Sequence, residues 1–198
     1  MSAYHNVVKE YRKQIIEGRC LNHVPVQENM LNRIIELRND SRNAYFLNQN
    51  NKLSLDDQIK WFNSYLTRSN DLYWVIVDKK NNIVGTNRLY DIDDNQCVQG
   101  SIIVDEKYSL EAPYALESIL LAIKFAFEKL KVATIINEDR YDNKVMNSIT
   151  KRVGFEYKFD VDIRGITYKH YELTKDKFKE QMLTKTLETW LSRRELNK

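Results

Sequence analysis

The stretch that decides the fold runs from residue 100 to residue 155 and reads GSIIVDEKYSLEAPYALESILLAIKFAFEKLKVATIINEDRYDNKVMNSITKRVGF. Its start belongs to a run rich in β-branched side chains at residues 97–104, which predicts a strand. Residues 105–113 predict a loop. Apolar side chains then recur at helical spacing over residues 114–130, which predicts a long helix.

The second half of this stretch predicts a return to the sheet. Residues 132–137 predict a strand, and a short helix is expected to begin near Asn143 and end at Gly154, because glycine suits a helix C-terminus. The predicted order is therefore strand, loop, helix, strand, helix. A loop that leads into a helix presents free backbone N–H groups at the positive end of the helix dipole. This order therefore predicts a site for a phosphorylated ligand at the loop.

These elements, together with residues 126–130, Asn143 and the closing Val153-Gly154-Phe155, resemble the acetyl-CoA-binding core of the GNAT superfamily of N-acyltransferases. The resemblance covers about residues 20–172 and includes three upstream motifs, Leu37-Arg38-Asn39-Asp40, Trp61-Phe62 and Ile83-Val84-Gly85. It implies an α/β fold with a mixed, mostly antiparallel central sheet flanked by helices. It also implies an enzyme that uses acyl-CoA, either acetyl-CoA or a longer acyl-CoA, as co-substrate.

The chain departs from the family pattern at two places. The family's pyrophosphate loop reads Arg/Gln-x-x-Gly-x-Gly/Ala, and the corresponding positions here are Ser109, Ala112 and Tyr114. Backbone N–H groups can still bind phosphate there, but the close approach that glycine permits is lost. Many members also carry a tyrosine acid four residues before the glycine of Gly-Phe, where this chain has Thr150.

Length and composition favour one domain. The chain has 198 residues, of which 42% are hydrophobic and 30% are charged. We expect a single N-acyltransferase domain over residues 1–198, with a core at about residues 14–174 and an added amphipathic helix at about residues 175–196. The two cysteines, Cys20 and Cys97, are expected to be free, buried thiols.

The charge pattern argues against several classes of protein. The 31 basic and 28 acidic residues are intermixed and give a net charge of +3, so neither a nucleic-acid nor a membrane surface is expected. The sequence has no export signal and no apolar run of bilayer length, which predicts a cytoplasmic location. The cysteines show no metal-ligand spacing, and no metal is expected.

The N-terminal half shows shorter patterns. Residues 1–13 predict at most an extra helical turn, residues 15–26 predict a first strand, and a helix is expected to run up to Arg38. Ser54 predicts the N-cap of a further helix. The expected buried face of that helix is Ile59, Trp61, Phe62, Tyr65 and Leu66.

Two hairpins and a terminal helix complete the prediction. Residues 73–77 and 83–92 predict one hairpin, and residues 157–161 and 168–173 predict another around Arg164-Gly165. The terminal helix has an apolar stripe formed by Phe178, Met182, Leu187, Trp190 and Leu191. Such a stripe favours packing on its own domain or on a second subunit, which leaves a homodimer open.

The resemblance implies which groups perform acyl transfer. The thioester carbonyl would be held by a backbone N–H group within residues 102–104, and a carboxylate would take the proton of the amine. Glu138 is the candidate base, because it follows a strand that is expected to splay from its neighbour. The residues expected to contact acyl-CoA are Ile102, Ile103, Val104, Ser109, Ala112, Tyr114 and Asn143.

Other residues compete for the catalytic roles. Asp91 and Asp93 end the predicted hairpin strand and are alternative bases, and His23 and His170 are further candidates. Tyr141 precedes the short helix and is a candidate for the missing acid, since a phenol can protonate a thiolate.

The acceptor is expected to be a small molecule, most closely a nucleotide-linked aminodeoxysugar. Several motifs resemble the sugar-modifying branch of the family, among them Tyr73-Trp74 and the strand end at residues 89–92. The resemblance implies Arg38 or Arg88 on the phosphates and a tyrosine or tryptophan stacked on the base, with Tyr73 and Tyr90 as substrate-binding candidates. Two alternatives stay open: a protein N-terminal or antibiotic-type N-acetyltransferase, and a non-catalytic acyl-CoA-binding module.

The unusual pyrophosphate loop generates a prediction about the donor. Pro113 stands between Ala112 and Tyr114 and removes one N–H group, so affinity must depend more on the acyl chain. Each buried methylene contributes about 0.8 kcal/mol, and two extra carbons would therefore raise affinity roughly tenfold. We expect a four-carbon acyl-CoA to be used at least as well as acetyl-CoA. Measuring kcat/KM for both donors with one acceptor tests this, and a strong preference for acetyl-CoA would contradict it.

Overall fold

The central feature is one mixed sheet, shown by a computed structural model that describes residues 8–47 and 49–195. Its strands are β1 (Ile16–Glu17), β2 (Leu21–Pro25), β3 (Leu72–Asp78), β4 (Ile83–Tyr90), β5 (Gln96–Val104), β6 (Thr134–Arg140), β7 (Glu156–Ile163) and β8 (Ile166–Thr174). Their spatial order is β1-β2-β3-β4-β5-β6-β8-β7. Neighbouring strands are antiparallel except β5 and β6, which are parallel. The predicted mixed, mostly antiparallel sheet is confirmed.

Helices cover both faces of this sheet. They are α1 (Leu31–Asn39), α2 (Ser41–Phe46), α3 (Leu55–Thr67), α4 (Tyr114–Phe125), α5 (Lys144–Val153) and α6 (Glu180–Glu195). The predicted long helix is confirmed, although α4 ends in a π-helical turn, Ala126–Leu130. Two 3-10 turns, Glu28–Met30 and Glu106–Tyr108, precede α1 and α4.

The two faces of the sheet have separate apolar cores. On one face, α1 and α3 pack through Leu31, Ile34 and Phe62 against Tyr73 and Val75. On the other face, α4, α5 and α6 pack over the strands that lead to the central stretch. This second core includes Trp74, Leu89, Ile119, Ile123, Ile135, Val153, Leu173, Leu183 and Leu187. The strands that carry the candidate site are therefore packed by helices on the second face, through Cys97 of β5 and Ile135 of β6, whereas the first core lies over β3.

The first predicted strand is in fact a short hairpin. Strands β1 and β2 pair around a turn in which the Gly18 N–H donates to the Leu21 carbonyl at 2.9 Å. The buried carboxylate of Glu117, on α4, accepts the N–H groups of Cys20 and Leu21 at 2.9 and 3.2 Å. Cys20 is only half-buried, contrary to expectation, and its thiol donates to the same carboxylate at 2.6 Å. A contact from a distant helix thus forms this turn.

Two residues that were expected in buried stripes lie outside them. Ser54 and Asp57 form the predicted capping box of α3, but Leu66 is 52% exposed. Leu66 directly follows the buried Tyr65. Because successive helical residues are rotated by about 100°, the Leu66 side chain points away from the sheet. In α6, Leu183 and Leu187 are buried one turn apart, and Met182 is 46% exposed for the same reason.

Element boundaries differ modestly from the predictions. Strand β4 ends at Tyr90 rather than at residue 92, and β6 extends to Arg140. Residues 8–11 are helical and bury Val8, whereas residues 1–7 and the predicted helix end at residue 196 lie outside the described residues. Among the helices that the structure describes, none is both long and apolar enough to cross a bilayer.

Gly154 generates a prediction about stability. It ends α5 with φ +116°, and a Cβ atom there would lie 2.1 Å from the Lys177 carbonyl oxygen. Gly154→Ala combines left-handed strain with this clash and is expected to cost about 2–4 kcal/mol. Gly165 has φ +77° with open space around it, so Gly165→Ala is the matched control and should cost about 1 kcal/mol. Urea unfolding of both variants measures the difference, and equal costs would contradict the role of the clash.

Candidate active site

Strands β5 and β6 separate halfway along their length. Their parallel ladder runs from Gln96 opposite Thr134 to Gln99 opposite Asn137. In the described sheet, residues 100–104 then pair with β4 alone, and residues 138–140 pair with β8 alone. The facing edges of β5 and β6 are therefore left without strand partners.

A β-bulge in β5 accompanies this separation. Arg88 pairs with Gly100 and Thr86 pairs with Ile103, so one residue of β4 faces two residues of β5. Ser101 has φ +51°, and its carbonyl accepts the Thr86 hydroxyl at 2.8 Å. A bulge bends and twists its strand, which directs the end of β5 away from β6.

The separation opens a cleft of about 910 Å³. Its walls come from the split ends of β5 and β6, the loop before α4, the starts of α4 and α5, and the α1–α2 segment. The residues that were expected to contact acyl-CoA all line it: Ile102, Ile103, Val104, Ser109, Ala112, Tyr114 and Asn143. The starts of two helices and an unpaired strand edge thus meet in one space, which suits a ligand with both phosphate and amide groups.

Charged side chains surround the opening at the helix starts. Arg33 forms a salt bridge with Asp105, and Arg42 Nη1 lies 3.8 Å from Glu106 Oε1. Lys144 is the first residue of α5, lines the cleft and is exposed. It directly follows the N-cap Asn143, at a helix start that favours anions, and the sequence analysis did not name it.

Glu138 lines the cleft on the open face of the sheet. It is opposite His170 in the β6–β8 ladder, and its Oε1 lies 3.4 Å from His170 Nδ1. The His170 ring stacks on Phe159 of β7, with centroids 4.5 Å apart and an interplanar angle of 7°. A carboxylate, an imidazole and an exposed aromatic ring therefore form a row across three strands.

Asp139 lines the same cleft but projects to the opposite face, because side chains alternate along a strand. It is 5% exposed, and its carboxylate accepts the Thr150 hydroxyl at 2.6 Å and the Asn137 side-chain amide at 3.2 Å. Burial raises the pKa of Asp139 to about 6, although both hydrogen bonds act against this rise. The sequence analysis named Glu138 as a candidate but not its neighbour Asp139.

The end of β6 is tied to α2 across the cleft. The Arg140 guanidinium lies 3.8 Å from the Tyr45 ring centroid and donates to the Tyr45 carbonyl at 3.0 Å. Asp142 accepts both Arg140 Nε at 2.9 Å and the Tyr45 hydroxyl at 2.6 Å. Tyr141, the candidate acid, lies between these residues in the chain, but its side chain is 56% exposed and does not line the cleft.

A second group of candidates lies beside the cleft. Arg88 forms two hydrogen bonds to the buried Asp71, at 2.8 and 2.6 Å, and its guanidinium lies over the Tyr90 ring. Tyr90 is close to the cleft, because a Cβ atom at the cleft residue Gly100 would lie 3.1 Å from its ring. Arg38 does not line the cleft, although its neighbour Leu37 does.

The remaining candidates lie elsewhere in the fold. Tyr73 is 3% exposed within the core under α1 and α3. Asp91 has φ +48° just after β4, and Asp93 accepts the N–H groups of Asn95 and Gln96 in the following turn. His23 is fully buried against Ser118 and Trp74, and burial lowers its pKa to about 3, which keeps it neutral.

Comparisons with known proteins agree on the fold. Apo FdhC, described as a nucleotide-linked sugar GNAT, shares 24% identity over 87% of this chain and 97% of its own, with a TM-score of 0.73. Spermidine N-acetyltransferase from Vibrio cholerae, solved with CoA and spermine, shares 17% identity over 79% of this chain and 96% of its own, with a TM-score of 0.72. A GCN5-related N-acetyltransferase from Brucella melitensis shares 18% identity over 90% and 86%, with a TM-score of 0.73. A search of curated protein sequences gave no match.

The family follows from a sequence match that covers most of the chain. Residues 21–156 match the model of the acetyltransferase (GNAT) domain, and this range contains the split strands, the loop, α4 and α5. The chain therefore belongs to the GNAT acetyltransferase family and is a CoA-dependent N-acyltransferase.

Proposed function

We propose that the protein transfers an acyl group from acyl-CoA to the amino group of a nucleotide-linked aminodeoxysugar. The choice of this acceptor rests on the row formed by Glu138, His170 and Phe159 on the open face of the sheet. The Phe159 ring is 51% exposed, and a flat apolar ring suits the stacking of a nucleobase. FdhC, which has the same fold, is described as a nucleotide-linked sugar GNAT, and this supports the choice.

The diphosphate of such an acceptor needs cations between the base and the sugar. Arg140 is opposite Tyr168 in the β6–β8 ladder. Burial raises the pKa of Tyr168, the charges of Asp142 and Glu138 add to that rise, and the charges of Arg140 and Arg164 act against it. Tyr168 is on β8, two residues from His170 and on the same face. Guanidinium groups bind phosphate oxygens well. We assign the diphosphate to Arg164, which is exposed, in place of Arg38 and Arg88, since Arg88 is already bound to Asp71 and Arg140 to Asp142.

The donor would lie along the free edge of β5. Amide groups of the pantetheine chain can pair with backbone groups of residues 102–104, as an added strand does. One of those N–H groups would hold the thioester carbonyl as negative charge develops on its oxygen. The phosphates would lie near Lys144, Asn143 and the loop that contains Ser109.

Glu138 would then act as the general base. The amine nitrogen forms a bond to the carbonyl carbon, and its proton passes to the Glu138 carboxylate, directly or through one water. The carbon–sulfur bond breaks and leaves its electron pair on sulfur. His170, at 3.4 Å, orients the Glu138 carboxylate toward the cleft.

A polyamine is the second candidate acceptor. More acidic than basic side chains line the cleft, which would favour a cationic substrate. A spermidine N-acetyltransferase has the same fold. However, four of the acids, Glu36, Asp105, Glu106 and Asp142, are already paired with arginines. The nucleotide-linked sugar therefore remains the first choice.

Replacement of Glu138 tests the assignment of the base. Glu138→Gln keeps the size of the side chain but cannot accept a proton, so kcat should fall by about a hundredfold or more. Asp91→Asn is the matched control, because it makes the same change of charge outside the cleft and should leave kcat within about twofold of wild type. A Glu138→Gln variant with nearly normal kcat would assign proton removal to another group or to solvent.

Replacement of Phe159 tests the acceptor. Phe159→Leu removes the ring but keeps an apolar side chain, and loss of stacking should raise KM for a nucleoside-diphosphate-linked aminosugar by roughly tenfold. KM for the same aminosugar without the nucleotide should not change. Tyr157→Leu is the matched control, since Tyr157 is equally exposed on β7 but contacts Tyr171 on the opposite face. Turnover of spermidine in preference to every nucleotide-linked sugar would favour the second candidate.

A further inference from the structure

The second acid at the end of β6, Asp139, is a carboxylate without a cationic partner in the cleft wall. Among the side chains that the structure describes, residues 8–47 and 49–193, no lysine, arginine or histidine forms an ion pair with it. It accepts hydrogen bonds from two neutral groups, Thr150 and Asn137, and the Asn137 amide also donates to Thr150 Oγ1 at 2.9 Å. A buried, uncompensated carboxylate is costly, and a structural role alone would be filled more cheaply by an amide.

The groups that face Asp139 do not neutralise its charge. On β8, Lys169 is its register partner but forms no ion pair with it, and it is also the register partner of Asp160 on β7. Tyr171 faces the same side and donates its hydroxyl to Asn147 of α5 at 2.8 Å. On α5 the neighbour is Thr150. Beyond the hydrogen bonds from Thr150 and Asn137, protonation or contact with a ligand in the cleft can relieve the charge.

Glu138 and Asp139 stand on opposite sides of one strand. Glu138 faces the open side with His170, where the amine is proposed to approach. Asp139 faces the side of α4 and α5, whose first turns line the cleft where the donor is proposed to bind. Two acids in different surroundings, one on each side of a reacting group, are the arrangement that separates a base from an acid.

We propose that Asp139 is the acid that protonates the sulfur of CoA as the thiolate leaves. This role rests on the acyl transfer proposed above. The carbon–nitrogen bond forms, the amine proton passes to Glu138, and the carbon–sulfur bond breaks with its electron pair on sulfur. The Asp139 carboxylic acid gives its proton to that sulfur, and the resulting carboxylate keeps the hydrogen bonds from Thr150 and Asn137. Solvent later returns a proton to Asp139 and removes one from Glu138.

The acidity of the two groups suits this direction of transfer. A thiol ordinarily has a pKa of about 8.5, so a carboxylic acid with a pKa of about 6 protonates a thiolate readily. Thr150 holds the acid but cannot replace it, because an aliphatic hydroxyl does not ionise near neutral pH. A group with a pKa close to the working pH also regains its proton within each cycle.

Asp139→Asn tests the proposal with two measurements: kcat should fall, and the melting temperature should rise. The variant keeps the shape of the side chain but has no proton to give, so kcat for thiol release from acetyl-CoA should fall by about thirtyfold, with KM for acetyl-CoA within twofold of wild type. Its melting temperature should rise at pH 8. Folding raises the pKa of Asp139 above its ordinary value of 3.8. Ionisation of Asp139 therefore destabilises the folded wild type: the full loss applies above about pH 6, and there is no loss below pH 3.8. The gain in melting temperature should therefore vanish near pH 3.5.

Asp160→Asn is the control, because it makes the same change on the exposed strand β7 and should alter neither kcat nor the melting temperature. An Asp139→Asn variant with kcat within threefold of wild type overturns the proposal. A variant that melts below wild type at pH 8 also overturns it, since Asp139 would then serve to hold β6 on α5. The assay uses whichever amine the wild type turns over. A wild type that releases no thiol with any amine would overturn the proposed function and this role together.

Discussion

The constraint on which the site depends is the early end of the only parallel ladder in the described sheet. Strands β5 and β6 share hydrogen bonds as far as Gln99 and Asn137, and the bulge at Ser101 then turns β5 away. Every buried backbone N–H and C=O group needs a partner, so an unpaired edge inside a fold is costly unless a ligand completes it. Acyl-CoA carries amide groups along its length and can complete that edge. The split sheet thus provides the free backbone groups that the proposed donor site requires.

At the same split, the two carboxylates proposed for catalysis lie on opposite faces of β6. Alternation along β6 sends Glu138 toward the open face and Asp139 toward α5, and no additional loop is needed to separate them. Glu138 contacts the His170 imidazole at the surface of the sheet, whereas Asp139 is buried and accepts hydrogen bonds from neutral groups. Their different surroundings follow from the helices, which cover one face near β6 and leave the other open.

Local patterns in the sequence were sufficient for most of the fold. Helical spacing defined α4, the Ser54 cap defined α3, and Gly154 defined the end of α5, because each signal lies within a few residues of the element it forms. Two of the differences depend on a contact that the local sequence pattern does not show. The β1–β2 turn depends on Glu117, nearly a hundred residues away, and Arg88 was assigned to phosphate because its contact with Asp71 could not be foreseen.

The run Glu138-Asp139-Arg140 lies in the candidate site, although three consecutive charged residues usually indicate a loop. Three consecutive charges lower the predicted strand content, so β6 was expected to end at residue 137. In the structure β8 pairs with all three residues, and the absent neighbour on the β5 side leaves room for polar side chains and for a ligand. All three charged residues line the cleft at the point where the sheet opens. A charged run that directly follows a buried strand can therefore indicate the place where two strands part, and with it the position of the reacting groups.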